Sequence, residues 1–252
     1  MMKQFIKNRK GQNVCVVTNV PNESKGLVFI VHGLGSNKER PTVKTFKKSF
    51  QEENFTTVIF DVTNSSGESD GDYKNATTTN FYEDLEDVIS WAKKQNFYQE
   101  PFWLIGHSLG GLAVARYCYQ YPNKIKSILL ASPTINVKWI SKTSKDKLQL
   151  IDSKTWRISK NQISGETRKL DWDNFIGDLK DYDLKMFIKN LKKPILIISG
   201  ENELYCNPLN EIASSLNLDF KIIKSAPHSY REKEHLKQLK QIIKEWIKKT
   251  LK

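Results

Sequence analysis

Long apolar runs are missing from this chain of 252 residues. No segment stays apolar for the length that a bilayer demands, which excludes a membrane-spanning helix. The opening stretch, MMKQFIKNRKGQ, has neither a long apolar run nor a small-residue cleavage site, so the expectation is a protein that remains in the cytoplasm. Cysteine is scarce: Cys15, Cys118 and Cys206 are scattered, odd in number and without C-x-x-C spacing. That pattern argues against a disulfide framework and against a zinc site, and all three read as free thiols. Internal repeats and Pro/Gly-rich linkers are also lacking, so one domain with a packed insertion is the starting expectation.

Positive charge, in contrast, is plentiful, with a net value of +12. Its distribution matters more than its size. Residues 138–193 hold 14 Lys/Arg against 8 Asp/Glu, residues 221–252 hold 10 against 3, and the remainder sums to about −1. The excess is mostly lysine spaced through helical stretches, which a solvated surface explains. Neither a nucleic-acid partner nor an anionic membrane is expected.

Short continuous apolar runs recur along the chain: 26–31, 56–60, 102–105, 125–131 and 195–198, each closed by turn residues or by Pro/Gly. Such runs are typical of parallel strands buried on both faces. Helical stretches lie between them. Residues 80–95 open with an Asn80-x-x-Glu83 capping box and place Tyr82, Leu85, Ile89 and Ala92 on one stripe; residues 231–250 do the same with Leu236, Leu239, Ile243 and Trp246. Alternating strands and helices give an α/β class with a mostly parallel central sheet and helices on both faces. Residues 3–19 are expected to add an antiparallel hairpin at one edge, turning near Lys10-Gly11. The alternation stops between Pro133 and Pro194, where about sixty residues rich in Lys, Ser, Asp and Trp show no continuous apolar strand. This predicts a core of residues 1–133 and 194–252 carrying a cap or lid insertion at 134–193.

One motif carries chemistry. Gly106-His107-Ser108-Leu109-Gly110-Gly111 follows the strand that ends near Ile105 and opens a helix running to Tyr121. A serine hydroxyl attacks poorly unless a base takes its proton and fixed donors receive the oxyanion. The Gly-x-Ser-x-Gly turn serves both needs by setting the serine on a strained strand-to-helix corner, at the positive end of the helix. With His32-Gly33-Leu34-Gly35, Phe60-Asp61, Gly67-Glu68-Ser69-Asp70-Gly71, Gly200-Glu201-Asn202-Glu203 and Ala226-Pro227-His228, the chain resembles the α/β-hydrolase superfamily. Within that superfamily it is similar to the capped bacterial esterase and lipase-like hydrolases related to cinnamoyl-ester esterases and serine aminopeptidases.

The resemblance implies an α/β-hydrolase fold, Ser108 as nucleophile, and an oxyanion hole made of the backbone N–H groups of Leu34 and Leu109. His32 is expected to orient its loop, and the Asp61–Gly71 stretch to shape the turn beneath it. Of the four histidines, His107 is the elbow neighbour expected to point away, and His235 is expected on a charged helix face. His228 lies in Ser225-Ala-Pro-His-Ser229, between the last strand at 220–224 and the last helix, where the fold delivers its base. The acid belongs in the turn after 195–199. Glu203 stands where relatives usually have aspartate; Glu201 as the acid, or neither, stays open. Cys206 reads as a small buried residue.

The expected activity is hydrolysis of a small-molecule carboxylic ester through an acyl-enzyme, with no cofactor and no metal. Amide hydrolysis or acyl transfer on the same triad, or a binding protein that has lost turnover, are the alternatives. Trp139, Trp156, Trp172, Phe175, Tyr182 and Phe187 of the insertion either wall a pocket or form the cap's own core.

Overall fold

The computed structural model describes residues 1–160 and 165–251. The chain begins with a hairpin of β1 (Met2–Lys7) and β2 (Asn13–Asn19), closed where Asn8 Oδ1 accepts from the amides of Lys10 and Gln12. It continues through β3 (Leu27–Val31), α1 (Pro41–Gln51), β4 (Thr56–Phe60), α2 (Thr78–Ala92), β5 (Phe102–His107), α3 (Leu109–Gln120) and β6 (Ile125–Ala131). The segment 134–193 follows, with α4 (Val137–Ser144), β7 (Leu148–Ile151), β8 (Lys154–Lys160), β9 (Thr167–Asp171), α5 (Trp172–Leu179) and α6 (Leu184–Ile188). The chain closes with β10 (Ile195–Gly200), α7 (Cys206–Ser215), β11 (Asp219–Ile223) and α8 (Lys233–Leu251).

Eight strands form one sheet in the order β1-β2-β4-β3-β5-β6-β10-β11. The pairs β1–β2 and β2–β4 are antiparallel, and every other pair is parallel. The central strands are apolar without alternation because both faces are covered. Leu27, Phe29 and Val31 of β3 pack with Leu104 of β5 and Leu130 of β6 under α2 and α3, while Val28, Ile30, Trp103, Ile105 and Leu129 pack under α1 and α8. Each such side chain contributes roughly 1.5–3 kcal/mol by leaving water. Parallel strands of this kind gather their C-terminal ends on one rim, where loops can build a site.

Three local expectations differ from the structure. The cap of α2 is Thr77, whose side chain accepts from the amide of Asn80, so the helix starts before the Asn80 box. Asn80 instead turns inward and donates to Thr63 Oγ1 at 2.6 Å. His235 is 3% exposed rather than solvated, because it shares the buried stripe of α8 with Leu239 and Ile243 at four-residue steps. The 134–193 segment holds a second, three-stranded antiparallel sheet, β7-β8-β9. Its strands are half-exposed and carry charged residues, which hides them from a search for apolar runs. Positions 161–164 of that segment lie outside the described residues.

The segment is packed on the main sheet's helices. Trp172, Phe175, Leu179, Tyr182 and Phe187 join the same apolar cluster as α2 and α3, and the Arg116 guanidinium of α3 lies 5.3 Å from the Tyr182 ring and 5.4 Å from that of Phe187. These four aromatics therefore belong to a core shared with α2 and α3 and not to a separate one. Among the described residues no helix is long and apolar enough to cross a membrane.

Candidate active site

The strand-to-helix corner after β5 is tight for a steric reason. A Cβ on Gly106 would lie 2.3 Å from the Gly110 carbonyl oxygen, and a Cβ on Gly110 would lie 2.3 Å from that of His32. Small residues two positions either side of Ser108 are thus what let α3 leave β5 so abruptly. Ser108 itself has φ 55° and ψ −120°, a conformation that a non-glycine residue holds only when its surroundings enforce it. Here the Ser108 amide donates to the Ala131 carbonyl at 2.9 Å, and its own carbonyl accepts from the amides of Gly111 and Thr134.

Three loops at the C-terminal rim converge on this corner. His228, following β11, receives the Ser108 hydroxyl at Nε2 across 2.9 Å and faces Glu203 Oε2 with Nδ1 at 2.6 Å. Glu203, following β10, is 3% exposed in its side chain. Its other oxygen, Oε1, accepts from Ser132 Oγ and Ser199 Oγ, both at 2.5 Å, and from the Gly200 amide at 2.9 Å. Burial opposes the charge on Glu203, but the hydrogen bond and charge of His228 and the two serine hydroxyls outweigh it and hold the carboxyl below its ordinary pKa. Glu201 is elsewhere: its exposed carboxylate accepts from the Ser225 amide at 2.7 Å.

The loop after β3 completes the arrangement. Neither the Leu34 amide nor the Leu109 amide has an acceptor among the described residues. His32 is fully buried, donates from Nδ1 to the Gly33 carbonyl at 2.9 Å and accepts the Val62 amide at Nε2 across 3.0 Å. That pair of bonds requires a neutral ring, and burial lowers its pKa accordingly.

Several roles here differ from the sequence reading or were not read from it. His107 does not turn away: its Nε2–H donates to the His228 carbonyl at 2.9 Å and its ring lies 5.2 Å from that of His228, fixing the loop that carries it. Burial, then the proximity of His228, lowers its pKa to about 4, so it acts as a neutral donor. Ser132, Ser199 and Tyr230 form the hydroxyl cluster around Glu203. Their signal in the sequence is slight, a serine directly after or near the end of a parallel strand.

Comparison with known proteins places the chain in a family. Residues 22–172 match the family model described as serine aminopeptidase, S33.

The chain belongs to that hydrolase family.

A 59-residue stretch is 34% identical to the phospholipase YtpA of Bacillus subtilis, a match that spans 23% of each chain. The Est1E structure from Butyrivibrio proteoclasticus with bound ferulic acid aligns over 100% of this chain and 99% of its own, with a TM-score of 0.79 at 19% identity. The esterase domain of a Rhodothermus marinus protein aligns over 100% of both chains, with a TM-score of 0.72 at 15% identity. At such identities the likeness shows the fold, an α/β-hydrolase fold.

Beneath the hydrolase's 33–38 loop sits a buried ion pair. Lys38 Nζ contacts Asp61 Oδ2 at 2.7 Å and Glu68 Oε1 at 2.6 Å, with side-chain exposures of 2% for Lys38 and 0% for Asp61. Asp61 also accepts the amides of Lys38 and Glu68, tying the loop after β3 to the polar loop after β4. Cys15, Asp61 and Glu68 are grouped closely enough to suggest metal ligands, but the Lys38 ammonium already occupies their centre. All three cysteines are free and buried.

A cleft of about 750 Å³ opens over Ser108 and His228. None of the six aromatic residues of 134–193 proposed from sequence lines it; its aromatic walls are Tyr73 and Tyr205. The Tyr205 ring stands edge-on to His228 at 5.7 Å.

Proposed function

We propose that this hydrolase cleaves small-molecule carboxylic esters by two-step acyl transfer on Ser108. The observation that carries the reading is the unbroken hydrogen-bond chain from Ser108 Oγ through His228 to the buried Glu203. His228 takes the Ser108 proton at Nε2 as Oγ attacks the carbonyl carbon, and Glu203 holds the ring in the tautomer with Nε2 free and offsets the charge it gains. The Leu34 and Leu109 amides receive the oxyanion. The proton then passes from His228 to the departing alcohol, and a water activated at the same nitrogen releases the acid. These steps call on no cofactor or metal ion. The segment 134–193, which supplies one wall of the cleft, acts as the cap over it.

The family description favours a second reading, amide hydrolysis by the same groups. Turnover of p-nitrophenyl butyrate against a matched p-nitroanilide separates the two. Ser108→Ala is expected to lower kcat by a factor on the order of a million while leaving circular dichroism unchanged. Ester turnover near the wild-type rate in that variant contradicts the proposal.

A further inference from the structure

The positive charge of the 138–193 stretch is not simply a solvated surface. The fold brings Lys147, Arg157, Lys160 and Arg168 from that stretch, and Arg231 from the loop before α8, to the wall of the cleft over Ser108. Glu203 is the only acidic side chain among the described residues lining it, and its charge is committed to His228.

Two of these cations are held rigidly by partners that carry no charge. Arg168 donates from Nη2 to the Gly35 carbonyl at 2.7 Å and stacks on the Tyr73 ring, with its guanidinium carbon 4.3 Å from the centroid. Arg157 donates to Ser144 Oγ at 3.1 Å and to the Tyr73 hydroxyl at 3.3 Å. Hydroxyls, a carbonyl and a ring face orient a guanidinium without neutralising it. Burial first, then the Arg157 charge, lowers the pKa of Lys147; burial first, with Arg157 adding in the same sense, lowers that of Arg168. Fixed, partly desolvated positive charge with no counter-charge among the described residues is costly unless something negative meets it. Gly35, held by Arg168, is the neighbour of Leu34, so this field begins one residue from the oxyanion loop.

We propose that the cleft selects esters carrying an anionic oxyacid group, a carboxylate or a phosphate, which docks against Arg157 and Arg168 while the ester carbonyl meets Ser108. The inference rests on the esterase reading above. It names the substrate's charge, and it leaves to experiment whether the anion belongs to the acyl or the alcohol part.

The test compares matched esters at low ionic strength. In the acyl arm, mono-p-nitrophenyl glutarate is set against p-nitrophenyl pentanoate; in the alcohol arm, 3-carboxyphenyl butyrate is set against phenyl butyrate. In at least one arm kcat/KM for the anionic ester is expected to exceed that for the neutral one by about tenfold or more, the worth of one charge-assisted hydrogen bond. The preference should shrink as salt rises. It should also collapse in the Arg157→Gln/Arg168→Gln double variant, while Lys126→Gln, an exposed charge change on β6 away from the cleft, leaves the ratio unaltered. Equal turnover in both arms, or a preference that survives the double variant, overturns the inference and leaves the esterase reading intact. If no ester is cleaved, the esterase reading fails, and calorimetry with glutarate and with glycerol phosphate decides the anion site separately. Saturable binding lost in the double variant supports it; no binding of either anion overturns it.

Discussion

Replacing Glu203 by glutamine changes one atom of a fully committed carboxylate, and the structure fixes the consequence. Oε1 accepts from two serine hydroxyls and the Gly200 amide, so a glutamine must keep its carbonyl oxygen there. Its NH2 group is then left facing His228 Nδ1, where the carboxylate oxygen stands at 2.6 Å. Two N–H groups cannot face each other, so the ring takes the tautomer with Nδ1 as acceptor and the proton on Nε2. That proton points at Ser108 Oγ, and the ring can no longer accept from it. In a triad enzyme this error costs about 10⁴ in kcat, or about 5 kcal/mol of barrier. Steady-state kinetics with p-nitrophenyl butyrate, after circular dichroism confirms folding, should show this fall with KM little changed. Glu203→Asp, which keeps the charge on a shorter arm, is expected to retain more activity than Glu203→Gln. Glu201→Gln should stay near wild type, since that side chain's partner among the described residues is the Ser225 amide, away from the His228 ring. A Glu203→Gln enzyme within tenfold of wild type, or an equal loss in Glu201→Gln, refutes the reasoning.

Lys38→Met leaves the buried Asp61 side chain without its cation, and urea unfolding is expected to show a loss of about 3–5 kcal/mol; a change below 1 kcal/mol contradicts the assigned role. His107 makes stability depend on pH. Between 6.5 and about 4 the unfolded chain binds a proton on this ring that the folded chain does not, so the stabilisation is complete above pH 6.5 and is lost as pH falls towards 4. The full span is worth about 3 kcal/mol for a shift of this size. Urea midpoints between pH 7 and pH 4 should therefore fall less steeply in His107→Gln, and parallel slopes would refute this account.

The core was legible because a parallel sheet covered on both faces leaves continuous apolar runs such as Leu27–Val31 and Ile195–Ile198, which need no partner to be recognised. The elbow was legible because Gly106 and Gly110 face backbone atoms that tolerate no Cβ, so the geometry is written in residue identity. What escaped depends on contacts between distant segments. The strand Lys154–Lys160 is half-exposed and alternates weakly, and it is held by pairing with β7 and β9 more than by its own pattern. His235 was misplaced because one histidine among lysines reads as polar until the stripe of α8 is set against its neighbours. The cleft's cations escaped for the same reason: charge counted along the chain gives no sign that Arg157, Arg168 and Arg231 face one cavity.

The central claim is that Ser108 is the nucleophile. Incubation of the folded protein with an active-site-directed fluorophosphonate, followed by peptide mass spectrometry, tests it most directly. The expected result is a single stoichiometric adduct on the peptide containing Ser108, absent in Ser108→Ala and strongly slowed in Glu203→Gln; folded protein that stays unlabelled, or carries the adduct on another residue, contradicts it.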